Sequence, residues 1–235
     1  MPNITPLLFI GFGVPLRILS ATGPPRSASS ILQMAPAGGC LTGHGGWEHG
    51  IQVDLTPTGA YQLTGIPMHE VTGRCLALEE VWGAWAHWLE SGLGALPDWP
   101  SRFAFLTTAL ETRMRSGPVP SPRVVLAAAR LQHPSGAVVG DLAAELDWSR
   151  QHLTEMAVRQ IGHTPRTVIR LARFQRAGKM LSEPAGVSFA HIATLCGYSD
   201  QAHFSRDFRT FAGRTPVRVP ADQFPYRNCV RLPSR

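Results

Sequence analysis

The stretch LAAELDWSRQHLTEMAVRQIGHTP (residues 142–165) is answered by IATLCGYSDQAHFSRDFRTFAGRTP (residues 192–216), and the two are copies of one pattern. Ala143, Trp148, Ser149 and Gln151 correspond to Ala193, Tyr198, Ser199 and Gln201 at an offset of fifty. After one inserted residue the offset becomes fifty-one, and His152, Leu153, Gly162, Thr164 and Pro165 correspond to His203, Phe204, Gly213, Thr215 and Pro216. Two copies are too few to stack into a stable solenoid. The repeat therefore predicts a module of two like units.

Each copy has the outline of a helix-turn-helix unit. A short apolar helix carries Leu142, Ala143 and Leu146 in the first copy, and Ile192, Ala193 and Leu195 in the second. Ser149, and either Ser199 or Asp200, can accept a hydrogen bond from the free N–H groups that open the second helix. Cys196-Gly197 supplies a flexible turn. Asp147 stands at the matching place in the first copy, and Asp tolerates the left-handed conformation at modest cost. Gly162 and Gly213 fall where helices stop, and Thr164-Pro165 and Thr215-Pro216 read as N-cap and first residue of the next helix.

With these residues in view, GYSDQAHFSRDFRTFAGRTP (residues 197–216), preceded by a helix with RFQRAGKML (residues 173–181), resembles the DNA-binding domain of AraC/XylS-type transcription regulators. The resemblance covers roughly a hundred residues. It implies two helix-turn-helix units, at about residues 138–162 and 188–213, joined by one long helix, each unit placing its second helix in the major groove. The connector runs from Pro165 to about Leu181 and, at about 1.5 Å per residue, spans roughly 25 Å. With the helix ends added this approaches the roughly 34 Å of one DNA turn.

Charge supports the same reading. The chain is +6 overall; residues 1–120 hold six basic and eight acidic side chains, residues 121–235 sixteen and eight, so the halves carry −2 and +8. Neutralising phosphates drives most non-specific DNA affinity. Fifteen of the sixteen basic residues are Arg, whose planar fork suits phosphates and guanine edges better than a solvated surface requires.

The opening turns of the second helices name the candidate base readers: Arg150, Gln151, Thr154 and Glu155 in the first unit, and Gln201, His203 and Arg206 in the second, with Asp200 beside them. Arg pairs with guanine and Gln with adenine. For Glu155 and Asp200 capping or solvating the helix is the favoured role. Arg159, Arg166, Arg170, Arg173, Ser205 and Arg209 are candidate phosphate contacts, which fix register without carrying sequence information. The first unit departs from the pattern. Ala157 stands where the second has Phe208, and Val158 replaces a residue that is usually basic in such domains. Phe to Ala in a core costs about 3–5 kcal/mol unless the space is refilled, so Met156 or Trp148 must repack or the first unit is looser.

Residues 1 to about 75 are rich in Gly, Pro, Ser and Thr, with apolar runs at 7–10, 16–19 and 31–34 and alternation at Ile51, Val53 and Leu55, the pattern of short strands. Helical periodicity follows: Val81, Trp82, Trp85, Trp88 and Leu89 share one face, and Phe103, Leu106, Leu110 and Met114 another. The tryptophan stripe reads as core, or as a dimer seam. GIQVDLTPTGAYQLTGIPMHEV (residues 50–71) with the two helices after it resembles, less specifically, the sensor-side domain of actinobacterial-type members of the same family. That implies a small cupin-like β domain with two helices, an α+β chain overall, and an effector of unidentified chemistry. With few strands expected before Gly50, either an incomplete barrel or a start codon set too far downstream is expected. The expected organisation is a sensor or dimerisation domain (1–115), a linker of three prolines (116–122, SGPVPSP), the DNA-binding domain (123–224) and a disordered tail (225–235).

Chemistry is sparse. His44, Glu48 and His49 in GHGGWEHG could hold a metal, but a polar glycine-rich loop is the favoured reading. Gly11-Phe12-Gly13 lacks the rest of a dinucleotide site, and neither GK[ST] nor GxSxG occurs. Cys40, Cys75, Cys196 and Cys229 are too scattered for a zinc site or disulfide framework, which fits a reducing cytoplasm. The expectation is a cytoplasmic regulator, not an enzyme, without cofactor or membrane span. Its partners would be promoter DNA, a small-molecule effector, RNA polymerase and a second copy of the chain, with activation as the expected mode. The alternatives are a DNA-repair or other enzyme carrying this module, and a protein-interaction module with a degraded first unit.

Overall fold

Alternation of buried and half-buried side chains builds the N-terminal half. The computed structural model describes residues 6–19, 25–34, 41–44, 49–133, 136–182, 187–213, 215–216 and 229–231. Eight strands are described: β1 (Leu7–Gly11), β2 (Leu16–Leu19), β3 (Arg26–Ala28), β4 (Ile31–Gln33), β5 (Leu41–His44), β6 (Gly50–Asp54), β7 (Cys75–Ala77) and β8 (Cys229–Arg231). They form two sheets in the orders β6-β1-β4-β7 and β3-β2-β5-β8. Registers Leu8↔Leu32, Leu8↔Val53 and Leu32↔Leu76 put Leu8, Ile10, Leu32, Ile51 and Leu76 on one face of the first sheet, against helices. Phe9, Ile31, Cys75 and Ala77 point the other way and pack with Leu16, Ile18 and Ala28 of the second sheet. The first sheet is thus the middle of three layers, buried on both faces, as a sandwich with covering helices requires.

The helical layer starts with α1 (Pro57–Thr64), capped by Thr56 and ended by left-handed Gly65, and α2 (Met68–Val71). Three more follow: α3 (Leu78–Trp82), α4 (Ala84–Ala95) and α5 (Trp99–Ser116), the last opened by an Asp98 cap that accepts from Ser101 N at 2.8 Å. Between residues 122 and 212 the described elements are all helices: α6 (Pro122–Gln132), α7 (Val139–Glu145), α8 (Arg150–Ile161), α9 (Pro165–Ser182), α10 (Phe189–Leu195) and α11 (Gln201–Ala212), around a core centred on Leu131, Leu153, Leu171, Phe174, Phe204 and Phe208. An α+β chain with a small β region followed by an all-helical double helix-turn-helix is the architecture expected.

Several details differ from expectation. Five strands precede Gly50 rather than a few; β3 and β5 lie in Gly-, Ser- and Pro-rich sequence too short to show a period. Cys229–Arg231, expected in a disordered tail, forms β8 and pairs in parallel with β5. The 116–122 segment, expected as a proline-stiffened linker, is also held by bonds: Ser121 N donates to Gln160 Oε1 at 2.9 Å, and Gln62 Nε2 donates to the Met114 carbonyl at 3.1 Å just before it. Phe103 and Trp88 are half exposed, because the buried face of α5 runs through Leu106 and Ala109 and that of α4 through Ala86, Leu89 and Leu93. Of the His44, Glu48, His49 cluster, Glu48 lies outside the described residues, as does Cys40. Among the described residues no helix is long and apolar enough to cross a membrane, and no three His, Cys, Asp or Glu residues gather as a metal site.

Candidate nucleic-acid interface

Local chemistry sets both units the same way. Ser149 accepts from His152 N at 3.1 Å and opens α8; Asp200 accepts from His203 N at 2.6 Å and opens α11. Each cap satisfies an N–H that the helix cannot. Asp147 takes the left-handed turn at φ 56°, where the second unit has Gly197 at φ 78°. Gly162 and Gly213 end α8 and α11 in the same conformation, and Thr164 accepts from Thr167 N at 3.3 Å to open α9. The connector α9 holds 18 residues, about 27 Å at the helical rise, and packs on α6, α8, α10 and α11.

In the second unit α11 buries Phe204, Phe208 and Phe211 and turns Gln201, Ala202, Arg206, Arg209 and Thr210 outward. Helical spacing sets Gln201, Ser205 and Arg209 in one row with Ala202 and Arg206 beside it. Ser205 is half buried, and Arg206 and Arg209 are exposed. His203 is half buried at the edge of this face: its ring lies edge-on to Tyr198 at 5.2 Å, its Nδ1 is 3.1 Å from Ser199 Oγ and its Nε2 4.0 Å from Asp207, so it is engaged with the residues that cap α11. Hydrogen bonds from the His203 and Ser199 side hold the Asp200 carboxyl below its usual range, with Arg206 assisting.

Arg170 also leaves its expected place. Its Nε and Nη2 both donate to the Asp207 carboxylate, the shortest contact being 2.7 Å, with Asp207 7% exposed and Arg170 40%. A buried carboxylate must be paired, and this fork pins α9 to α11. The same bond, more than the nearby charge, raises the Arg170 pKa. Burial pushes the neighbouring Tyr198 phenol up, and its hydroxyl has no hydrogen-bond partner among the described residues. Arg173 lies beside Gly197 at the turn, whereas Arg159 and Arg166 are exposed.

In the first unit Arg150, Gln151 and Glu155 are exposed and Thr154 is half buried, its hydroxyl donating back to the Arg150 carbonyl at 2.8 Å. Gln151 Nε2 donates to Glu155 Oε1 at 2.9 Å, and the Arg150 guanidinium lies over Gly140 of α7. Ala157 is fully buried, and Trp148 and Met156 are partly buried and pack against the same core. Val158, where the second unit has Arg209, is half buried. The far end of α8 carries the N-terminal half. Both α1 and α2 pack on α8, and the Thr72 hydroxyl reaches the Gly162 carbonyl at 3.2 Å.

Sequence reading missed two anchors, Asp207 and Gln160. Each is a polar residue inside an apolar stripe, Asp207 between Phe204, Phe208 and Phe211 and Gln160 beside Ala157 and Ile161, and that position was the available signal.

A protein-family profile described as Helix-turn-helix domain matches residues 142–220 and so spans both units. Among solved structures, a DNA-binding transcriptional dual regulator from Escherichia coli K-12 is 24% identical over 40% of this chain and 86% of its own, with a TM-score of 0.32. ToxT from Vibrio cholerae is 13% identical over 92% of this chain and 89% of its own, with a TM-score of 0.49. An unsaturated fatty acid bound form of ToxT is 10% identical over 88% and 84%, with a TM-score of 0.44. No curated protein matches the sequence.

Proposed function

We propose that this chain, whose residues 142–220 match a helix-turn-helix domain profile, is a sequence-specific transcription regulator of the AraC type, reading two adjacent major-groove segments through α8 and α11. The observation that carries the proposal is the pairing of two like-capped units on one connector helix, each with a polar, exposed face on its second helix. Gln201 and Arg206 are the principal base readers, since both are exposed on the outward side of α11 and neither side chain donates a hydrogen bond among the described residues. Gln151 and Arg150 serve the first unit once Glu155 releases Gln151 and Arg150 swings from Gly140. Arg159, Arg166 and Arg209 hold phosphates. The second unit dominates, because Arg209 is replaced by apolar Val158 in the first.

An effector-responsive role for the N-terminal half is supported by its seat on α8. Any shift of α1 and α2 is felt at Gly162, the residue that ends α8 and starts the turn into α9. Comparing the DNA sequences preferred by the wild type and by the Gln201→Ala, Arg206→Ala double variant tests the reading. Loss or relaxation of preference in one half of the site supports it; an unchanged preference shows that other residues read the bases.

A further inference from the structure

The two caps fix how the units correspond, because Ser149 accepts from His152 N and Asp200 from His203 N, each three residues on. Counted from these caps, Arg150 answers Gln201, Gln151 answers Ala202 and Glu155 answers Arg206. The reading faces thus differ in the sign of one charge. Glu155 is exposed, and with Ser149 already capping α8 its carboxylate has no part in opening the helix. It accepts from Gln151 Nε2 at 2.9 Å, one turn back on the same face. Among the described residues it forms no ion pair, although Arg159 stands four residues on, in the order that favours one. From this arrangement we infer that Glu155 sets base specificity in the first unit: it selects a cytosine at the position equivalent to the guanine read by Arg206, exchanging the Gln151 amide for the cytosine amino group. The inference rests on the proposed reading of DNA by α8 and deepens it.

An ionised carboxylate is an acceptor only. In the major groove guanine presents the acceptors N7 and O6 and thymine the acceptor O4, whereas cytosine presents the N4 amino donor alone; adenine sets its amino group beside the acceptor N7. Cytosine is therefore the base that a carboxylate takes without facing an acceptor of that base. The exchange leaves Glu155 bonded throughout, since one N–H replaces another, and an acceptor left without a donor is what makes the wrong base costly. Once released, Gln151 has both amide groups free, the pair with which Gln reads adenine N6 and N7. Opposite guanine Glu155 finds no donor and keeps Gln151, so a wrong base at one position also silences the reader of its neighbour. The second unit has no such latch. Ala202, in the place of Gln151, has no polar side-chain group, and Arg206 is itself a donor.

Competition binding followed by fluorescence anisotropy tests this, using the full chain and a duplex enriched from a random pool, with each base pair of both blocks replaced in turn. The wild type is expected to favour C over G by about tenfold at one position of the first block. Replacing that C by G is expected to flatten the adenine preference at the neighbouring position. Glu155→Arg is expected to turn the preference from C to G, and Glu155→Ala to abolish it and make the adenine preference independent of its neighbour. The block read by α11 keeps its preference in each variant, which shows that the variant folds and docks; the wild-type comparison needs no variant. Two blocks without a C preference in the first, or a first block unchanged in both Glu155 variants, overturns the inference and leaves reading by both units standing. A Gln151–Glu155 pair that only steadies α8 gives that second result. A wild type that enriches a single block, or no motif, overturns reading by two units and this inference with it.

Discussion

Replacing Arg170 by Met separates a structural arginine from a phosphate-binding one. The substitution keeps most of the side chain's length and leaves the Asp207 carboxylate, 7% exposed, without its fork; the remaining nitrogen nearby is His203 Nε2 at 4.0 Å. Removing one partner of a fully buried pair costs about 3–5 kcal/mol, whereas an exposed pair contributes about 0–1 kcal/mol. Arg170 is 40% exposed, so the pair sits between those regimes and Arg170→Met should cost about 2 kcal/mol. For a chain of 235 residues that lowers Tm by about 4–8 °C. Asp207→Asn in the same background should recover part of the loss, giving a coupling of about 1 kcal/mol in a double-mutant cycle followed by urea denaturation. DNA binding supplies the second readout. Each phosphate contact contributes about 0.9 to the slope of log affinity against log salt, so Arg166→Ala should reduce the slope by about that much and Arg170→Met should leave it unchanged. A neutral effect on stability together with a reduced salt slope in Arg170→Met would refute the structural assignment and return Arg170 to the phosphate set.

Other outcomes follow from the same contacts. Tyr198→Phe removes a buried hydroxyl that no described group satisfies, so urea midpoints should show it neutral or stabilising by up to about 1 kcal/mol; a clear loss would reveal a partner for the phenol. The Asp200 carboxyl is held below its ordinary value of 3.8 by its bonds to His203 N and Ser199. A depressed folded pKa means stabilisation that is present above the unfolded pKa and lost as pH falls through the folded one. The Tm advantage of wild type over Asp200→Asn should therefore shrink below about pH 3.8, and a constant difference from pH 7 to pH 2.5 would contradict the cap's ionisation. Gly162→Ala places a methyl against Thr72 Oγ1 and Met68 at a left-handed residue. Hydrogen exchange should speed up in α2 and at the end of α8, and unchanged protection in both would show that the two halves do not meet there.

The units around α8 and α11 were legible because capping, turn and stop residues recur in both copies; Ser149, Asp147, Gly162 and Gly213 each do what their side chains or lack of one allow. Strands β1, β2, β4 and β6 were legible from apolar runs, whereas β3 (RSA) and β5 (LTGH) carry no period long enough to read. In the site, the outward row of α11 came from helical spacing alone. The contacts of His203 and Arg170 with Asp207 were not legible, because the burial of a lone carboxylate is decided by packing between α9 and α11, which spacing within either helix does not show. The seat of α1 and α2 on α8 is likewise a long-range contact, joining Thr72 to Gly162 across ninety residues.

Selection of bound duplexes from a random DNA pool with the full-length protein tests the central claim most directly. Reading by both units predicts an enriched motif of two blocks whose centres lie about one helical turn, roughly 10–10.5 base pairs, apart. A pool without enrichment, or a motif confined to a single block, would contradict the account of two units reading adjacent major-groove segments.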